Sequence, residues 1–319
     1  MFRFFSSLPS TTSFLLCTHE NPDIDGVCSL GILHLWLESH GFSVQSIVQP
    51  PVPGTDYLHG LETVITDPFQ LNMHHPSILV SLDCATPQRI WPQIVFSIKA
   101  IHVNIDHHVD NTRFGDHPFV DSTASSTAEL MYAELRKEGC SIPLPLLENC
   151  YAGILFDTGG FRYSNTTSVT FMHAMELLKA GVAPAPMAQH VFQSYTCQSF
   201  QALKCALENC IYQNKTPSYL FTHIPHAKIQ EHHFSPPDFE GIVDILRLHK
   251  EADLIIFVRE VKPNEWKGSI RCTPKYSILD MAHSFQGGGH RNAAGFTFFG
   301  SYIELKERVM SQIHSLSVI

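Results

Sequence analysis

The chain has 319 residues, 44% of them hydrophobic, which is enough for one large or two ordinary domains with a sizeable core. Its 21 Lys and Arg against 30 Asp and Glu give a formal net charge of −9, which argues against a grip on long nucleic acid, since that needs a basic stripe to neutralise many phosphates. No apolar run approaches the roughly 18 residues that span a bilayer, the N-terminus lacks a signal-peptide core, and nine scattered Cys without a Cys-x-x-Cys pair read as the reduced thiols of a cytoplasmic protein.

In chain order, residues 13–18 predict a buried strand that runs into His19-Glu-Asn-Pro-Asp23-Ile-Asp25-Gly26. Pro22 disfavours helix at the residue before it, so Pro22 and Gly26 bracket Asp23 and Asp25 in a turn. Two carboxylates at that spacing can bridge neighbouring ions from one loop. Residues 25–40 carry Val27, Leu30, Leu33, Trp36 and Leu37 at helical spacing, with Gly41 as a stop. A strand is expected at 42–49, a loop at 50–54, and another strand at 77–83 ending on Asp83. An irregular link over 87–96 leads to a strand at 99–106, closed by Asp106-His107-His108. Residues 125–138 predict a helix with a capping box from Ser126 to Glu129, ended by Gly139. Residues 143–156 read as a helix leading to Asp157, although the apolar run 152–156 also fits a strand with Asp157 at its end. Helices follow at 168–180 and 184–192. Strands alternating with helices imply an α/β domain with a mainly parallel sheet flanked by helices on both faces.

Past about residue 195 the pattern changes. A connecting helix is expected at 199–209, strands at 218–223, 253–261 and 266–272, and a Pro-Asn turn at 263–264. A helix at 278–285 precedes Gly287-Gly288-Gly289-His290-Arg291-Asn292-Ala293-Ala294-Gly295, then a strand at 292–299 and a helix at 302–314. This predicts a second, smaller α+β domain, with boundaries at 1–195, a helical linker over 196–213, and 214–319.

Four segments thus deliver hard ligands at their carboxyl ends, where open α/β sheets bind ligands. The pooled set is His19, Asp23, Asp25, Asp83, His107 and Asp157. One Asp after a strand is commonly a cap or turn residue, but four ends all carrying ligands make coincidence a poor account. Imidazoles and carboxylates without thiolate favour Mn²⁺ or Mg²⁺ over a structural Zn²⁺. Two divalent ions offset four negative charges locally, and the remaining balance points to a short or small phosphorylated ligand. Consecutive glycines such as Gly288 and Gly289 let backbone N–H groups approach an anion, with His290 and Arg291 as further donors; a plain flexible turn is the alternative. Arg271 on its strand is a phosphate contact or a surface arginine. Arg162 and Arg113, near Asp157 and His108, either clamp a phosphate or pair with a carboxylate.

His19-x-x-Pro-Asp23-x-Asp25, Asp83, Asp106-His107-His108 and Asp157-Thr-Gly-Gly resemble the ordered motifs of the DHH phosphoesterase superfamily. Residues 121–129 look like the stretch that follows the triplet in that family, and Gly287–Gly295 looks like the Gly-Gly-Gly-His signature of the DHH-associated C-terminal domain. Ile24 departs from the usual Pro-Asp-Gly-Asp. Size and architecture resemble the stand-alone nano-RNase and pAp-phosphatase group. The resemblance implies a DHH catalytic domain, a substrate-binding domain and an active site in the cleft between them. It also implies one ion held by His19, Asp23 and Asp83, and a second held by Asp25, Asp83, His107 and Asp157. Mn²⁺ is the expected metal, with Mg²⁺ and Co²⁺ as alternatives. Attack on phosphorus by a hydroxide activated between the ions follows, with His108 contacting the phosphate or protonating the leaving oxygen, and Asp106 orienting an imidazole. His290, Arg271 and the glycine loop would bind the terminal phosphate. The implied substrates are short RNA or DNA oligonucleotides, linear dinucleotides such as pApA, and pAp. Competing expectations are a cyclic-di-AMP phosphodiesterase, a pyrophosphatase, or a nucleotide-binding regulatory module without turnover. A homodimer is left open.

Overall fold

The chain divides into two units, Met1–Ser194 and Tyr195–Ile319. The computed structural model describes residues 1–318, apart from 73–75, 94, 96–97, 140 and 194–195, and describes His290 through its backbone alone. In the first unit, α1 (Phe2–Ser6), β1 (Ser13–Cys17), α2 (Ile24–Ser39), β2 (Ser43–Ile47), β3 (Ile78–Leu82), β4 (Ile101–Asp106) and β5 (His117–Val120) precede four helices. These are α3 (Thr127–Arg136), α4 (Leu144–Asp157), α5 (Ser168–Lys179) and α6 (Pro184–Phe192).

The five strands are parallel, in the order β2-β1-β3-β4-β5. Strands buried on both faces are apolar throughout rather than alternating. Leu16, Val80, Val103 and Ile105 face a core shared with α2, α3 and α4. Leu15, Cys17 and Leu79 face a second cluster, completed by Ile47 and by Cys84, Ile90 and Val95 from the following loops. α2 is buried almost all round, as a helix held between a sheet and another helix must be. Full burial of Leu30 and Leu33 there contributes about 1.5–3 kcal/mol each. β5 has no counterpart in the sequence expectations. Its Pro118 is tolerated because β5 is the edge strand.

The strand order reverses between β1 and β3, and β1 and β3 diverge there to opposite neighbours. In open α/β sheets that switch point is where ligands bind. Register brings the chemistry level: Cys17 pairs with Ser81, so His19 follows β1 where Asp83 follows β3, and Leu82 pairs with Ile105, placing Asp83 beside Asp106.

One strand-end expectation is corrected. Residues 152–156 are helical, and Asp157 is the last residue of α4 rather than the end of a strand. Residues 150–155 are buried one after another without a polar side chain among them but Tyr151, and such a run carries no period that separates helix from strand. The length of the segment, 14 residues, is what decides for helix.

The second unit contains α7 (Cys197–Glu208), β6 (Ile211–Gln213), β7 (Tyr219–Ile224), α8 (His226–His232), α9 (Ile242–Leu246), β8 (Leu254–Lys262), β9 (Glu265–Cys272), α10 (Leu279–Ser284), β10 (Gly288–His290), β11 (Ala293–Phe299) and α11 (Tyr302–His314). Its mixed six-stranded sheet runs β10-β11-β9-β8-β7-β6, parallel only between β7 and β8. Alternate residues feed two cores. Leu254, Ile256 and Val258 pack with α10 and α11, while Ile255 and Phe257 pack with α7 and α9. The glycine loop is itself a short edge strand, with Gly288 opposite Gly295 and His290 opposite Ala293.

Candidate metal centre

Five elements converge at the switch point of the first unit. β1 runs into His19, which is 3% exposed. Asp23 caps α2 by accepting from the Gly26 N–H at 3.0 Å, and Asp25 sits fully buried in the first turn of α2. β3 ends at Asp83, whose left-handed backbone (φ 56°) turns its carboxylate into the same space. β4 ends in Asp106, followed by His107 and His108, and α4 contributes Asp157 from its last turn.

His19 Nε2 lies 3.8 Å from Asp23 Oδ1 and 3.6 Å from Asp83 Oδ2. His107 Nε2 lies 3.7 Å from Asp83 Oδ1 and 3.1 Å from Asp157 Oδ2. His108 Nδ1 is 2.7 Å from Asp106 Oδ1 and 3.6 Å from Asp83 Oδ1. Candidate donor atoms within 4.8 Å of one another form three groups: His19, Asp23 and Asp83; Asp25, His107 and Asp157; and Asp83, His107 and His108. All six residues expected as metal ligands fall in these groups. His108, expected as a substrate contact, joins the third.

A surrounding layer sets each ligand's orientation. His19 Nδ1 is 2.8 Å from the Glu20 carbonyl and His107 Nδ1 is 3.3 Å from the Ala124 carbonyl. A carbonyl only accepts, so both Nδ1 atoms carry hydrogen and both Nε2 atoms face the carboxylates. Asp25 accepts from the Thr127 and Ala128 N–H groups at 2.7 and 3.0 Å, at the N-terminus of α3, where the helix dipole favours an anion. Thr127 Oγ1 donates to Asp83 Oδ1 at 2.8 Å. Asn111 donates to Asp106 Oδ2 at 2.5 Å and to Asn104 Oδ1 at 2.9 Å.

The electrostatics are those of a place for positive charge. Burial alone pushes the two inward-facing imidazoles down, yet the Asp23 and Asp83 carboxylates push His19 up to about 10, and Asp157 and Asp83 push His107 up to about 11. Protons there occupy the position a cation would take. Burial, then repulsion from Asp83 and Asp157, holds Asp25 well above the carboxylate range. Burial opposed by His107 leaves Asp157 at about 6. Burial likewise pushes Asp83 up, but the His19 hydrogen bond and the neighbouring imidazoles hold it below its ordinary value. Oxygen and imidazole nitrogen donors without thiolate fit hard divalent cations.

Two further expected site residues, Arg113 and Arg162, belong to the first unit. Arg113 is exposed and donates to the Val120 carbonyl at 3.4 Å. Arg162 is exposed and donates to the Gly159 carbonyl at 2.5 Å. In the second unit, Arg271 Nε lies 3.8 Å from Asp244 Oδ1 and Arg291 donates to the Pro274 carbonyl at 3.3 Å. Around Gly288 a Cβ meets no atom within 4 Å, while Gly289 has φ 140° and its Cβ would meet the Ala293 carbonyl at 2.5 Å. The His290 side chain lies outside the described residues.

Sequence reasoning missed four contributors. Thr127 holds Asp25 and Asp83, and Asn111 holds Asp106, as described. Arg89 sets its guanidinium beside the His19 ring, Nη2 3.3 Å from Nδ1, from a short turn with no motif of its own; both atoms are donors, so it stands there as a charge and not as a hydrogen-bond partner. Glu129 was expected to close a capping box, and Ser126 does accept the Glu129 N–H at 2.9 Å. The Glu129 carboxylate instead takes the Ser125 N–H at 2.7 Å and His173 Nδ1 at 2.8 Å.

Residues 13–155 match the DHH family, N-terminal domain, and residues 218–314 match the DHHA1 domain. The chain carries a DHH domain and a DHHA1 domain. All of the clustered residues but Asp157 fall within the DHH match, which stops two residues short of it. Arg271 and Gly288–His290 lie in the DHHA1 domain. The bifunctional oligoribonuclease and PAP phosphatase NrnA of Thermus thermophilus is 28% identical, over 93% of this chain and 88% of its own. The Bacillus subtilis protein of the same name is 24% identical, over 95% and 94%. The crystal structure of an exopolyphosphatase-related protein from Bacteroides fragilis shares the fold, with a TM-score of 0.87 at 23% identity over 98% of this chain and 94% of that one. Among the described residues no helix is long and apolar enough to cross a membrane.

Proposed function

We propose that this DHH–DHHA1 protein is a phosphoric ester hydrolase that cleaves short oligonucleotides and linear dinucleotides to mononucleotides and also removes the 3′-phosphate of pAp. The observation that carries the reading is the convergence of His19, Asp23, Asp25, Asp83, His107 and Asp157 at the sheet's switch point. The two relatives named above, which cover most of the chain, support the substrate class. The net charge of −9 favours a short substrate over a long strand. The eight described cysteines are all free, which fits the cytoplasmic setting expected from the sequence.

His19, Asp23 and Asp83 would hold one divalent ion, and Asp25, His107 and Asp157 with Asp83 the other, Mn²⁺ being our choice. When bound, such ions supply Lewis acidity to the phosphoryl oxygens and to the attacking water. The protein's own part is to place the phosphate and manage the proton. Hydroxide, formed as the water gives its proton to solvent, makes the bond to phosphorus in line as the phosphorus–oxygen bond to the leaving nucleotide breaks. The leaving oxygen then needs a proton. Burial pushes His108 down, but the Asp106 hydrogen bond, 2.7 Å from Nδ1, and the Asp83 charge raise it, which makes His108 our candidate for protonating the leaving oxygen. In the DHHA1 domain, Arg271, Gly288, Gly289, His290 and Arg291 are our candidates for the substrate's terminal phosphate.

A substrate panel in Mn²⁺ tests this: pApA, pAp, cyclic-di-AMP, pyrophosphate and a long single strand. Turnover of pApA and pAp well above the rest is expected. A long strand cut as fast as pApA defeats the short-substrate reading, and tight pApA binding without turnover makes the protein a regulatory module.

A further inference from the structure

One short segment touches three of the clustered residues. Ala124 accepts from His107, Thr127 and Ala128 donate to Asp25, and the Thr127 hydroxyl donates to Asp83. The position of residues 124–128 therefore sets where Asp25, Asp83 and His107 stand. That segment is irregular up to the Ser126 cap, so its own backbone does not fix it.

Two contacts anchor it. Asn165 Nδ2 donates to the Ser125 carbonyl at 2.9 Å and to the Asp157 carbonyl at 3.1 Å. The Ser125 N–H donates to Glu129, whose carboxylate also receives His173 Nδ1 at 2.8 Å and Thr170 Oγ1 at 3.2 Å from α5. Glu129 and His173 are 3% and 4% exposed. Tyr132 closes over the imidazole edge-on, its ring centroid 5.3 Å away. A buried polar pair of this kind is a poor source of stability, because the cost of taking both groups out of water offsets the hydrogen bond between them. What such a pair supplies is a fixed position.

We propose that Glu129 and His173 are positioning residues for the metal centre: α5 holds Glu129, Glu129 holds Ser125, and the segment they fix holds Asp25, Asp83 and His107. This rests on the metal reading above. Outer residues that orient ligands typically change metal affinity by roughly 10–100-fold when replaced.

The test is calorimetric titration of Mn²⁺ into the full chain, with thermal unfolding of each variant alongside. His173→Leu is expected to weaken Mn²⁺ binding by roughly 10–100-fold, and His173→Gln, whose amide still donates to Glu129, to recover most of it. Thr170→Val, which removes one hydroxyl from Glu129, gives a smaller loss and serves if His173→Leu does not fold. Leu177→Ala, fully buried one turn further along α5, is the structural control. It should lower the unfolding temperature while leaving Mn²⁺ affinity within about twofold, since it leaves the ligands' bonding partners in place. Wild-type affinity retained in His173→Leu or Thr170→Val, or an equal loss in Leu177→Ala, overturns the inference and leaves the metal reading standing. A wild-type chain that takes up no Mn²⁺ overturns the metal reading and this inference with it.

Discussion

Asp83 is the residue on which the two proposed ion positions meet. Its oxygens face His19 on one side and His107 and His108 on the other. Asp83→Asn keeps the shape and removes the charge, so the fold should persist while pApA hydrolysis in Mn²⁺ falls by at least about 10³-fold, a loss of roughly 4 kcal/mol in transition-state stabilisation. Hydrolysis within tenfold of wild type would remove Asp83 from the centre. A second residue-scale prediction concerns His102, on the face of β4 that packs against the loops. It is buried, 3.1 Å from the Ser81 hydroxyl and edge-on to Phe114. Burial, only partly offset by Asp116, lowers it from 6.5 to about 4. The unfolded chain therefore takes the proton first, and stability is lost as pH falls from about 6.5 toward 4. At pH 5 this one group costs roughly 2 kcal/mol. His102→Gln should be spared that loss, so its urea midpoint should fall less than that of wild type between pH 7 and pH 5. Parallel curves would mean that His102 titrates normally. At this scale the sequence was a good guide to which residues cluster, because His and Asp at the ends of apolar runs have little other use. It was blind to Arg89 and His173, which reach His19 and Glu129 from 70 and 44 residues away along the chain.

The elements place these side chains through close helix packing, and Gly153 on α4 is where that packing is tightest at the centre. A Cβ there would stand 2.6 Å from Asp25 Oδ1 and 2.5 Å from the Ala128 Cβ. Alanine is the better helix former by about 1 kcal/mol, but overpacking of a close contact costs about 1–3 kcal/mol. Gly153→Ala is expected to lower the unfolding temperature and to weaken Mn²⁺ binding, since Asp25 or the start of α3 must move. A variant with a raised unfolding temperature and unchanged Mn²⁺ binding would show that α4 has room to spare. The same helix settles an ambiguity in the sequence. An apolar run ending on Asp157 looks the same as strand or helix when it is buried on every side, so of the two readings left open for 152–156 only the structure selects the helix. The glycines at 287–289 are a second case. Three Gly in a row signal freedom, yet pairing with Ala293–Gly295 orders two of them into an edge strand.

At the scale of the whole molecule, the alternation of strands and helices announced the parallel sheet, and the later run of strands announced the second, mixed one. What remained illegible was the strand order, which depends on long-range pairing, and it is the order that makes the space between β1 and β3 a site. Burying Asp25 and Asp157 beside other carboxylates works against folding of the first unit, because desolvation and the neighbouring charges raise the pKa of both. A cation that binds the folded state alone stabilises it by RT ln(1 + [L]/Kd), about 2.7 kcal/mol at a hundredfold excess over Kd. For a unit of 194 residues, that is a rise in unfolding temperature of roughly 5–11 °C. Among the described residues all three ligand groups lie in the DHH domain, so Mn²⁺ should raise only the transition carried by the first unit, and EDTA should reverse it. Scanning calorimetry of the full chain with Mn²⁺ and with EDTA decides the point. A shift in the DHHA1 transition instead, or no shift at saturating Mn²⁺, would place the metal elsewhere or nowhere.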